Sequence, residues 1–163
     1  MCEFRSMITQ HGDRVNDLHE CVRATFRERH RSDAHDRSWK DACLAFHGFR
    51  SEVDSYINDV TAEAILQDNR IRQFAFDYLS VDPMYFRSGY RKEHLLRVLK
   101  SLELTEREKA VLRQTILRRV RNGALREFRR FCHFIPRIQT EDFVSELKEK
   151  ADSSDVQIRR RAA

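Results

Sequence analysis

Residues 105–123 read TEREKAVLRQTILRRVRNG, and they decide the fold. Thr105 and Glu108 have capping-box spacing: hydroxyl and carboxylate each satisfy an amide left unpaired at a helix start. Leu112, Ile116 and Val120 then recur at four-residue steps, so one helical face is apolar. Arg107, Arg118 and Arg121 fall on the other side. Asn122-Gly123 stops the pattern, since glycine adopts the helix-ending backbone conformation without steric cost. A start, a stripe and a stop predict a helix to about Arg121.

The same reading extends outward. Ala124 to Ile135 predicts a helix with Leu125, Phe128, Phe131, Cys132 and Ile135 inward, ended by Pro136. Thr140 caps a helix running through Phe143, Val144 and Leu147, and Ser154 or Asp155 caps a last fragment. Upstream, Arg91 to Leu102 faces inward through Leu95, Val98, Leu99 and Leu102. Asp82-Pro83 reads as a helix start, Met84–Ser88 as one aromatic turn, and Gly89 as its left-handed stop. In the first half, Val15, Leu18, Val22 and Phe26 predict a helix over Asp13–Arg29, and Arg27–Arg37 a connection. Trp39, Cys43, Phe46, Arg50, Val53, Ile57 and Val60 alternate steps of four and three, predicting one long helix with a coiled-coil-like seam. Thr61 starts another, facing inward through Ile71, Phe74, Ala75, Tyr78 and Leu79. Arg50, on that seam, is expected to pack its stem and reach solvent, or to pair with Asp17 or Asp77.

Composition agrees. Only four Gly and two Pro occur in 163 residues, too few for the turns of a sheet protein, and eleven Phe argue against disorder. The expectation is an all-α chain of one domain, 1–163. An irregular helical bundle over 1–80 leads into helical hairpins over 82–163, with short links that force antiparallel neighbours. The tail Asp155-Val-Gln-Ile-Arg-Arg-Arg-Ala-Ala163 resembles the second-helix opening of a HEAT repeat: Asp caps, an aliphatic-Arg step follows, and small residues pack. That resemblance extends loosely over residues 90–163. It implies stacked hairpins and a binding scaffold, and it does not imply catalysis.

Charge is distributed unevenly. Residues 87–137 hold fifteen Lys or Arg against five Asp or Glu, although the whole chain is only +5. Such a block faces phosphates, an acidic protein, or the acidic half of its own chain or of a twin subunit. Arg118, Arg121, Arg126 and Arg130 are expected to gather at the Asn122-Gly123 turn, with Arg87, Arg91, Arg97 and Lys100 as further binding residues. The structural alternative is a solvated helix face, with Arg complementing helix C-termini. Tyr85, Phe86 and Tyr90 beside Arg87 are able to stack on bases, but read better as plugs between the two halves.

No GxSxG, HExxH, Walker A or GxGxxG motif occurs, and no catalytic set, metal or cofactor is expected. Cys43 and His47 share a helix face but Cys43 lies on the apolar seam, where a thiol acts as a small hydrophobe. Four dispersed cysteines without a CxxC pair point to reduced thiols and a cytoplasmic setting. No run reaches membrane-spanning length, and no small-molecule substrate is evident. The functional expectation is a non-enzymatic protein-interaction scaffold. The alternative is RNA or DNA binding through residues 87–137, and self-association is compatible with both.

Overall fold

The computed structural model describes residues 3–123 and 127–163; among them are eleven helices and no strand. The chain is all-α. The first hairpin joins α1 (Glu3–Phe26) to α2 (Asp33–Gly48), whose N-cap Ser32 accepts from the His35 amide. α1 starts ten residues before the predicted position, because Phe4, Ile8 and His11 continue the apolar stripe of Val15 and Leu18 backwards.

The predicted long seam is broken. α2 stops at Gly48, Phe49 is extended, and α3 (Glu52–Asp59) starts afresh from Ser51. Ser51 and Asp54 form a full capping box, with the Ser51 amide 2.9 Å from Asp54 Oδ2. That local start satisfies two orphan amides and turns Val53, Ile57 and Val60 into the core, while Leu44 of α2 stays outside. Arg50 is exposed and donates to the carbonyls of His47 (2.8 Å) and Phe49 (2.7 Å). Asp77, one of the two alternative partners considered for it, is bound by Arg5 at 3.0 Å.

α4 (Ala62–Gln67), capped by Thr61, leads into α5 (Asn69–Val81), capped by Asp68. α5 is the central helix. Phe74 through Leu79 are buried without interruption, as expected of a helix covered on all sides. Asp82 does not start the next helix. It ends α5 in the left-handed conformation, φ 55°. α6 (Ser88–Leu99) begins instead at Arg87, whose φ is 69°, and Gly89 lies inside its first turn. A side chain at Gly89 would meet Glu127: a Cβ there would sit 3.0 Å from Glu127 Oε2.

α7 (Glu106–Asn122) has the predicted capping box and Gly123, φ 129°, at its C-cap. It packs against α5, α8 (Phe128–Cys132), α9 (Ile135–Ile138), α10 (Glu141–Ala151) and α11 (Val156–Ala162). The helix expected over Ala124–Ile135 is divided within its described part: it breaks at His133-Phe134, and Pro136 occupies the first turn of α9. Proline fits there because the first-turn N–H lacks an intrahelical partner anyway. Thr140 and Asp155 cap α10 and α11 as read. These pieces of unequal length surround α7, so the row of equal hairpins implied by the HEAT resemblance is not established. One apolar core runs from Ile8 of α1 to Phe143 of α10.

Arginine closes many of the helix ends. A helix leaves its last carbonyls without partners, and glycine-based caps are the common remedy. Here Arg29 takes the carbonyl of Phe26, Arg118 that of Ser80 and Arg113 that of Ile138. Arg161 takes Val120, and Arg137 takes Lys100 and Leu102. A forked guanidinium suits this task, since one side chain reaches two acceptors.

Candidate functional site

The most developed polar site is a cleft of about 430 Å³ between α1, the α2–α3 junction and the start of α6. Its floor is His11, which occupies an apolar-stripe position of α1 and is 4% exposed. His11 Nδ1 lies 2.7 Å from Ser51 Oγ, and Nε2 lies 3.2 Å from Arg91 Nη1. A guanidinium only donates, so Nε2 accepts and Nδ1 carries the proton given to Ser51. Burial lowers the pKa of His11 from its ordinary value; Asp54 opposes that shift and Arg91 reinforces it.

Arg91 organises the rest. Nη2 donates to Asp54 Oδ1, and Nη1 also reaches the Tyr85 hydroxyl at 3.1 Å. Tyr85 and Tyr78 share a hydrogen bond of 2.6 Å, and burial raises both phenol pKa values. Burial works against the charge of Arg91, but Tyr85, Asp54 and Tyr78 outweigh it. Ser51, His11 and Asp54 resemble the components of a hydrolytic triad but are wired differently. Asp54 serves Arg91 and the Ser51 amide, while the Ser51 oxygen accepts from Val53 N. In a triad the acid would orient the histidine and the histidine would accept the serine proton.

The expected binding residues are dispersed. Arg87 and Arg91 both line this cleft. Arg97 and Lys100 are exposed on the outer face of α6. Arg130 lies beside Arg129, Glu93 and His133 in a groove of about 390 Å³. Arg118 turns to the Ser80 carbonyl at 2.6 Å, with Asp82 3.9 Å away, whereas Arg121 reaches towards Glu146 at 3.7 Å. Arg126 lies outside the described residues. Arg118 and Arg121 thus engage different parts of their own chain rather than one patch at the turn. Arg107 also has an interaction within the protein.

A second cluster escaped the sequence reading. Lys92 is fully buried, 2.7 Å from Asp82 Oδ1 and 3.2 Å from Glu127 Oε1. Arg119, 6% exposed, donates to Asp82 and lies 3.3 Å from Glu127 Oε1. Two carboxylates and two cations make a neutral buried group that joins α5, α6, α7 and the start of α8. The signal was present: Lys92 shares the helical arc of Leu95, Leu96 and Leu99, and Arg119 that of Leu112 and Ile116. Among the described residues no group of three or more His, Cys, Asp or Glu is arranged to hold a metal, and no helix is long and apolar enough to cross a membrane. Compared with protein-family models, curated proteins and solved structures, the chain matches none.

Proposed function

We propose that this protein is a non-enzymatic helical interaction module, and that a protein partner docks on the outer face of α2. One observation carries the reading. α2 is sixteen residues long and contributes no buried residue. It shows Trp39, Cys43, Leu44 and His47 around an apolar groove of about 350 Å³, with Leu44 71% exposed. Single exposed leucines are ordinary, but a contiguous apolar stripe on one helix marks a place where another surface sits.

A photocrosslinking residue at position 44 tests this in growing cells, with exposed Gln114 as control position. A discrete protein adduct from position 44 and none from 114 is expected. Equal, diffuse labelling at both positions would sink the reading.

Nucleic-acid binding is the second reading, favoured by Arg97, Lys100, Arg129 and Arg130. These are exposed, and no carboxylate among the described residues forms an ion pair with them. Replacing all four with Gln should flatten a steep salt dependence of RNA binding. A shallow wild-type slope, or an unchanged one in the variant, removes this reading.

A further inference from the structure

The cleft above His11 carries more positive charge than the described residues neutralise. Arg91 is paired with Asp54, the one acidic residue in the lining. Arg50 and Arg87 border the same cleft without a carboxylate among the described residues. Arg50 commits Nη1 to two carbonyls and has no other hydrogen bond to the described residues. The Arg87 guanidinium lies 5.2 Å from the centroid of the Phe86 ring. Two uncompensated guanidinium groups on one concave surface match a dianion, and forked donors suit the oxygens of a phosphate.

Backbone strain at the same position is an independent observation. Arg87 is held at φ 69° and ψ 4°, a conformation that glycine adopts freely and a long side chain does not. Folding alone would favour glycine there. Arginine persists at a strained, exposed position whose side chain borders the cleft, as residues at ligand clamps do.

We propose that this cleft binds a small phosphomonoester, with Arg50 and Arg87 clasping the phosphate and the Arg91–Asp54–His11 network holding the floor rigid. A phosphomonoester carries about −1.5 to −2 charges at neutral pH, the charge those two arginines leave unanswered. The cleft volume lies within the range of small-molecule sites. The proposal is independent of α2 docking, although His47 borders both surfaces.

Isothermal titration with inorganic phosphate and with AMP tests it, using wild type, Arg87→Gly, Arg50→Gln and, as control, Arg160→Gln at an exposed position of α11. Wild type should bind at least one of the two probes saturably, and Arg87→Gly and Arg50→Gln should each weaken that binding by about tenfold or more. Arg160→Gln should bind like wild type. Arg87→Gly should also melt at a higher temperature than wild type, because the strain is relieved while the ligand is lost. Saturation by AMP but not by inorganic phosphate would show that the rest of the ester contributes to affinity. No saturable binding of either probe, or equal weakening in Arg160→Gln, would overturn the site. So would an Arg87→Gly variant that is less stable than wild type. A Leu44→Lys variant should retain phosphate binding, which separates this site from the α2 face.

Discussion

The Lys92 ammonium lies 2.7 Å from Asp82 Oδ1, with the lysine side chain sealed from solvent and the aspartate nearly so. Asp82 ends α5 and Lys92 lies in α6, so this pair fixes how the chain turns between them. Glu127 and Arg119 complete the neutral group. A buried charge is tolerated only where partners and hydrogen bonds replace water. Lys92→Met should therefore cost about 3–5 kcal/mol in chemical denaturation, because it leaves an uncompensated buried carboxylate. Adding Glu127→Gln to it should recover part of that loss. A single variant within about 0.5 kcal/mol of wild type would show that water reaches the cluster.

Arg137 and Arg130 are seven residues apart and should behave differently. Both are exposed, but Arg137 donates to the carbonyls of Lys100 and Leu102 at 2.5 and 2.6 Å, whereas Arg130 forms no ion pair with a described residue. Arg137→Ala should destabilise by roughly 0.5–1.5 kcal/mol, the net range for hydrogen bonds, since the side chain is exposed. Arg130→Ala should stay within about 0.5 kcal/mol. Equal losses in urea titrations would contradict the distinction between capping and surface arginines.

Ser51 ends the predicted long helix and starts α3. Its Oγ accepts from Val53 N at 3.2 Å and meets His11 Nδ1 at 2.7 Å. Ser51→Ala removes the cap and leaves a buried imidazole nitrogen unpaired, at about 1–3 kcal/mol. Ser51→Thr keeps the oxygen and should recover most of the stability. Circular dichroism melts of the two variants make the comparison.

His11 should make stability depend on pH. Its folded-state pKa is below the ordinary value of 6.5, chiefly through burial. In the unfolded chain it protonates near 6.5, so the unfolded state binds the extra proton first. The contribution is fully present above pH 6.5 and is lost as pH falls through that value towards the lower folded one. The wild-type urea midpoint should drop from pH 7 to pH 5 by more than that of His11→Gln, whose amide can still donate to Ser51 and accept from Arg91. Parallel pH profiles for the two proteins would refute this.

The sequence by itself determined the helical class and the local starts. Thr105 with Glu108, Thr140 and Asp155 act within one helical turn, so their capping needs nothing beyond neighbouring residues. Scarce glycine and recurrent apolar spacing exclude sheet for equally local reasons. The break at Ser51 was legible too, in the Ser-x-x-Asp spacing, but the four–three seam running through it suggested continuity. Only tertiary structure decided between those two local signals, because the break lets Val53 and Ile57 enter a core to which α2 contributes no buried residue and only Phe46 at its edge. It likewise placed the left-handed residues at Asp82 and Arg87 rather than at Gly89, where Glu127 closes in. The basic block shows the same division. Its charge was plain from composition, but a charge count has no direction. Where each long arginine reaches depends on which carbonyls and carboxylates the folded chain brings near. Arg91, Arg113, Arg118, Arg119 and Arg137 turn to partners in their own chain. Arg87 was left facing a cleft whose walls come from α1, the α2–α3 junction and α6, segments that only folding brings together.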